Sequence, residues 1–154
     1  MGFHLNLRTE TVQQANFAEP LSVEPDATVR SVLELLKAER RGSVLVCRSG
    51  ILVGIFTERD ALRLMAAGSE LDMPVARVMT TAPISVSLRD PVETAITRMA
   101  EGGYRRLPVV DESGKPVGIL SVGQILHYLV EHFPTYIYNL PPTPGQVTQQ
   151  REGA

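Results

Sequence analysis

A single cysteine, Cys47, stands in this 154-residue chain, so no internal disulfide can form and an oxidising compartment gains no support. Tryptophan is absent and aromatic residues make up only 5%, which leaves no stacking platform beside the arginines and argues against a nucleic-acid partner. No apolar run approaches the ~20 residues that a membrane span requires. Neither sign of charge dominates. Fifteen Lys and Arg oppose 17 Asp and Glu, and the net −2 excludes a bulk polycation that binds nucleic acid or anionic lipid without specificity. Residues 1–10 lack the apolar core and cleavage site of a secretory signal. Asn6 stands where an N-myristoylation signal carries Ser or Thr. A cytoplasmic chain without a membrane partner is the expectation.

Catalytic signatures are missing too. The histidines are His4, His127 and His132, and the last two, five apart on a helical pattern, do not share a face as paired zinc ligands do. There is no Gly-x-Ser-x-Gly elbow, no Walker loop, and no acidic cluster that points to Mg²⁺. Cys47 closes an apolar strand run and reads as an inert core thiol. An enzyme is therefore not expected, nor a metal site, nor a required cofactor.

What is present is a duplication. Pro20-Leu21-Ser22-Val23 returns as Pro83-Ile84-Ser85-Val86 at an offset of 63, and Val29, Val32, Leu33 and Leu36 return as Val92, Ala95, Ile96 and Met99. Upstream, Val12 and Ala15 match Val75 and Val78. Beyond the turns Arg48-Ser49-Gly50 and Glu112-Ser113-Gly114 the offset becomes 64, and Gly54-Ile55-Phe56-Thr57 matches Gly118-Ile119-Leu120-Ser121. Two copies, 12–70 and 75–133, are joined by a linker at 71–74.

Each copy reads as β-α-β-β-α. A short extended piece (Leu21–Val23, Ile84–Val86) leads into a helix with apolar residues at i, i+3, i+4 and i+7. Asp90 is positioned to cap the second of these helices, with Pro91 in its first turn. Glycine-bearing stops at Arg41-Gly42 and Gly102-Gly103 end them. Two hairpins follow, Val44–Cys47 with Ile51–Phe56 and Leu107–Val110 with Val117–Leu120, each leading to a second helix. Those helices place Ala61, Leu62 and Met65 on one apolar face, and Ile125, Leu126 and Leu129 on the other. A three-stranded sheet cannot cover both its faces alone, so the two copies are expected to pair as a pseudo-twofold α+β fold. Leftover apolar helix faces favour a homodimer. Residues 1–11 form an expected arm. The Pro-rich tail 134–154 carries Tyr136, Ile137, Tyr138 and Leu140, which could dock on the body or on a partner chain.

Two polar constellations stand out. Thr57-Glu58-Arg59-Asp60 opens a helix and fits a capping box, as does Ser121-Val122-Gly123-Gln124. The same geometry offers free N–H donors to an anion, and a carboxylate at the third position can accept from a ribose diol. The second constellation, Arg105-Arg106, enters an apolar strand. It is either solvated or bound to an anion such as phosphate. Arg40 and Arg41 occupy the neighbouring region of the first copy, but Gly42-Ser43 replaces the arginine pair itself.

Gly54-Ile55-Phe56-Thr57-Glu58-Arg59-Asp60, Val78-Met79-Thr80 and Tyr104-Arg105-Arg106-Leu107-Pro108-Val109-Val110-Asp111 resemble the motifs of cystathionine β-synthase (CBS) domains, whose tandem pair is a Bateman module. The resemblance covers residues 12–133. It implies two βαββα units packed through their sheets, dimerising into a disc, that bind AMP, ADP, ATP, S-adenosylmethionine or NAD and regulate an unidentified protein. Carried over by position, it gives Thr57 and Asp60 the ribose, Ala82, Pro83 and Ile84 the adenine, and Arg105 and Arg106 the phosphates. Ile55 lines the same pocket. In the symmetry-related cleft Pro20 and Leu21 can wall a base and Ser121 is retained. There Gln124 replaces the carboxylate, so weaker or absent binding is expected. The alternative is a ligand-free interaction module whose boxes only cap helices.

Overall fold

The computed structural model describes residues 10–15 and 17–132. His4, most of the expected arm, and the tail with Tyr136, Ile137, Tyr138 and Leu140 lie outside the described residues. The first copy contributes β1 (Ser22–Val23), α1 (Val29–Glu39), β2 (Ser43–Arg48), β3 (Ile51–Thr57) and α2 (Glu58–Ala66). After β4 (Thr80–Thr81) the second gives β5 (Val86–Ser87), α3 (Val92–Gly102), β6 (Arg106–Val110), β7 (Pro116–Ser121) and α4 (Val122–His132). One sheet runs β1-β2-β3-β4 and the other β5-β6-β7. In each, the first strand is parallel to the second and the hairpin is antiparallel, with Ser43 opposite Thr57 and Arg106 opposite Ser121.

Ser43 to Cys47 are all buried, because β2 is covered on both faces. Val44 and Val46 pack with Phe56 against Val29, Val32 and Leu36 of α1. Leu45 and Cys47 face the other way and meet Ile119 of β7, with Leu52 and Ile55 beside them. The copies thus join through their sheets, as the pattern of two apolar faces requires. Burial pushes the Cys47 thiol above its usual pKa, which keeps it protonated and unreactive.

The lead-in to each copy packs on the other copy. Val12 and Ala15 lie in the core with Val86, Val92 and Ala95, whereas Val75 lies with Val29, Val32 and Phe56. The backbone bonds repeat this exchange as images at the offset of 63. Val12 N–H donates to Asp90 O (2.8 Å) and Val75 N–H to Ala27 O (2.7 Å). Val92 N–H donates to Glu10 O (2.7 Å) and Val29 N–H to Met73 O (2.9 Å).

Two local expectations are corrected. Asp90 does not cap α3. The Glu10 carbonyl takes the Val92 N–H, and Pro91 is drawn into an extended bridge with Thr11, so the helix begins at Val92 with Pro91 as its N-cap. The Asp90 carboxylate instead accepts from Ser87 N–H at 2.8 Å and pairs with Arg98 at 3.6 Å. In the first copy Thr28, the counterpart of Pro91, does cap, accepting from Ser31 N–H. Nor does glycine end α1. Its left-handed C-cap is Arg40 at φ 56°, where a side chain costs roughly 1–2 kcal/mol, while α3 follows the rule with Gly103 at φ 70°. The expected helix faces are only partly covered. Ala61 and Ile125 are buried, but Leu62 (62%), Met65 (58%) and Leu126 (57%) stay exposed. Among the described residues no helix is long and apolar enough to cross a membrane.

One tie of the exchanged N-terminal segment titrates. The buried Tyr128 hydroxyl on α4 donates to the Glu10 carboxylate, and burial, then that carboxylate, pushes the phenol pKa up to about 12. Below pH ~10 the phenol is neutral in folded and unfolded chains alike, and its contribution is complete. Between about 10 and 12 only the unfolded chain releases the proton, so stability falls as pH rises through that window. Urea denaturation should show the stability gap between wild type and Tyr128→Phe constant to about pH 10 and shrinking above it. A gap unchanged at pH 11 contradicts the assignment.

Candidate functional site

β3 ends and α2 begins at Thr57, whose extended backbone (φ −122°, ψ 168°) turns the chain into the helix. Thr57 N–H donates to Asp60 Oδ2 at 2.9 Å, the Thr57 hydroxyl donates to the same oxygen at 3.1 Å, and Asp60 N–H donates to Thr57 Oγ1 at 3.3 Å. The capping box is therefore formed, and it holds the carboxylate by one oxygen. The other, Oδ1, meets only Arg63 among the described residues, at 3.9 Å, although the side chain is just 16% exposed. Capping through Oδ2 thus leaves the lone pairs of Oδ1 for another donor.

The segment entering the second copy lies along this edge. Thr80 pairs with Ile55 and Thr81 with Gly54. A Cβ on Gly54 would sit 2.3 Å from the Met79 sulfur, so the glycine of one motif accommodates the methionine of another. Next, Ala82 takes a left-handed φ of 46° and donates to Val53 O at 3.1 Å. Pro83 is half-buried and Ile84 44% exposed. Ile55 is half-buried in the sheet junction beside Leu45 and Ile119.

Both arginines of the pair are exposed, and their roles differ. The Arg105 carbonyl accepts from Val122 N–H at the start of α4. Arg106 crosses to the other copy. Its Nη2 lies 2.9 Å, and Glu58 Oε1 3.1 Å, from where a Cβ on Gly42 would be. Gly42 is itself tied to the box, since Glu58 N–H donates to Gly42 O at 3.0 Å. The glycine that replaces an arginine in the first copy thus leaves room for the arginine of the second.

A cavity of about 910 Å³ opens beside this contact, between α1 and α2, lined by Glu58, Arg106, Gly42, Lys37, Arg40 and Arg41 over an apolar floor that includes Leu36 and Ala61. It adjoins the box rather than containing it, and of the residues expected to hold a ligand only Arg106 lines it. Lys37, Arg40 and Glu58 were not singled out as ligand groups from the sequence. Helical spacing assigns Lys37 and Arg40 to a solvated face, and nothing local shows that Arg106 approaches them.

The related cleft keeps the box in uncharged form. Ser121 N–H donates to Gln124 Oε1 at 2.8 Å and Gln124 N–H to Ser121 Oγ at 3.1 Å. Pro20 and Leu21 are half-buried, and Leu21 O accepts from Leu45 N–H. Arg41 donates to Glu19 O, just before them, at 2.6 Å. Among the described residues no group of three or more His, Cys, Asp or Glu could hold a metal ion.

The CBS domain profile matches residues 16–67 and 75–131, one stretch per copy. The chain belongs to the CBS domain family. A CBS domain-containing protein of Bacillus subtilis, YhcV, is 34% identical over 116 residues, covering 75% of this chain and 82% of its own. Some other curated relatives are far longer: this chain covers 18% of the meiotically up-regulated gene 70 protein of Schizosaccharomyces pombe and 22% of CBSCBSPB5 of Arabidopsis thaliana. Among solved structures, the CBS domain protein PAE2072 of Pyrobaculum aerophilum, complexed with AMP, superposes with a TM-score of 0.71 at 29% identity, covering 79% of this chain and 98% of that one. CBSX2 in complex with AMP gives 0.70 at 28%, with coverage of 79% and 97%.

Proposed function

We propose that this CBS pair is a regulatory module that senses an adenosine-containing ligand in the cleft between its copies, with AMP, ADP and ATP ahead of S-adenosylmethionine and NAD. The observation that carries the reading is the Asp60 carboxylate, fixed through Oδ2 by Thr57 while Oδ1 has only a long 3.9 Å contact with Arg63 among the described residues, with Arg106 of the opposite copy reaching the same helix start. Thr57 and Asp60 hold the ribose, Ile55 and Ala82–Ile84 wall the adenine, and Arg105 and Arg106 meet phosphate. The AMP complexes of PAE2072 and CBSX2 support this choice of ligand. CBS pairs are as a family regulatory rather than catalytic, and no cofactor is needed for such a role. Ligand bridging the copies favours whichever arrangement it binds better, and that differential affinity is what a regulated protein reads. The exposed Leu62, Met65 and Leu126 supply the surface for a homodimer.

A thermal-shift panel with AMP, ADP, ATP, S-adenosylmethionine and NAD tests the reading. A ligand at ~100 times its Kd adds about 2.7 kcal/mol to the native state. At on the order of 2–4 °C per kcal/mol this raises Tm by several degrees. Flat curves across the panel favour the second reading, a ligand-free interaction module, which the self-satisfied boxes at Thr57 and Ser121 equally permit.

A further inference from the structure

We infer that two copies of this chain meet crosswise, the α1–α2 helix pair of each protomer against the α3–α4 pair of its partner. The inference rests on the homodimer of the reading above and names how its protomers are placed. Both helix pairs leave apolar side chains uncovered. On the first, Leu62 and Met65 of α2 are exposed along the groove between α1 and α2. On the second, Val122 and Leu126 of α4 are exposed, with Tyr104 just beyond the end of α3. A second copy brings the same two faces, and a twofold axis can pair them like with like or crosswise.

Charge decides between the two. Residues 29–41 and 58–66, which form the first helix pair and the stop after α1, hold six Lys and Arg against four Asp and Glu. The equivalent stretches of the second pair, 92–104 and 122–132, hold one Arg against three Glu. With the histidines neutral, the first face is positive and the second negative. The difference reaches the groove itself. Lys37 and Arg40 line it, and at the offset of 63 their counterparts are Ala100 and Gly103. Pairing like with like sets the positive face on its own copy and the negative face on its own copy, and like-charge juxtaposition is costly. Crosswise pairing sets opposite net charges together at both contacts, and it turns Lys37 and Arg40 toward the face whose equivalent places are uncharged.

Cysteine cross-linking of the full chain tests the arrangement. Leu62→Cys and Leu126→Cys change exposed side chains at equivalent places, so both variants keep the fold. Cys47 is buried, so the wild type should stay unlinked by a flexible bismaleimide. Each variant alone should give little covalent dimer, whereas the two mixed should give it in quantity, because position 62 of one protomer faces position 126 of its partner. In sedimentation, raising salt from about 0.05 to about 0.3 M should raise the dimer's Kd about threefold or more, as attraction across the contacts is screened. Covalent dimer from either variant alone, or a Kd that holds constant or falls with salt, overturns the crosswise arrangement and leaves the homodimer standing. A dimer in which neither the variants nor their mixture link places the contact elsewhere, and overturns it too. A monomer in sedimentation overturns the homodimer as well, while the nucleotide panel decides the adenosine reading separately.

Discussion

Replacing Asp60 by Asn is expected to weaken adenine-nucleotide binding about ten- to a hundredfold while the protein stays folded. The two effects separate because the carboxylate's oxygens have different tasks. Asn keeps one carbonyl oxygen, which can still accept from the Thr57 N–H as Oδ2 does. The stability cost should thus sit at the low end of the roughly 0.5–2 kcal/mol typical of a lost cap. The negative charge that strengthens a hydrogen bond from a ribose hydroxyl is gone. Such charge-assisted bonds contribute about 1.5–3 kcal/mol against about 1 for neutral ones. Calorimetric titration beside a urea melt reads both quantities. A fall in stability with nucleotide affinity unchanged would reduce Asp60 to a helix cap.

The largest effect on folding is expected from separating the copies. A fragment of residues 1–70 carries Val12, which packs in the other core, and lacks Met73 and Val75, which belong to its own. It should be unfolded alone by circular dichroism, as should 71–154, and mixing the two should restore structure. Cooperative melting of either fragment alone would show that the exchanged segments are dispensable. Within the intact chain, Val75→Ala deletes two methyls from a site with no solvent exposure and should cost about 2 kcal/mol. Because Val75 lies in sequence with the second copy and in space with the first, probes in both copies should report a single transition.

That exchange marks the limit of what the chain's pattern discloses. The offsets of 63 and 64 reveal the duplication, and period-3.6 and period-2 patterning place the helices and hairpins near their observed positions. Both signals are local. They show that Val12 and Val75 are equivalent without saying which core each enters, since an apolar residue matches either copy equally well. The box at Thr57 and Asp60 was legible because its partners are three residues apart. The approach of Arg106 to Gly42 and Glu58 was not, since it depends on how two sheets dock. Arg40 misled for another reason. Glycine is the preferred left-handed stop, and a chain that tolerates arginine there departs from propensity at a cavity wall.

The covalent joining of the copies has a consequence for how their sites can differ. In a dimer of identical half-length chains every substitution appears twice, and an arginine introduced at one cleft is imposed on its mate. Here Arg106 of one copy lies beside Gly42 of the other, while its own counterpart is Ser43 and that of Gly42 is Arg105, so the joined chain carries arginines at one junction without carrying them at the other. Tethering also replaces a concentration-dependent encounter by a local one, effectively millimolar for a short linker, so the unlike halves meet each other in preference to their own kind. Fusion is what lets the residues of one cleft change without changing the other, as Asp60 and Gln124 do at equivalent places.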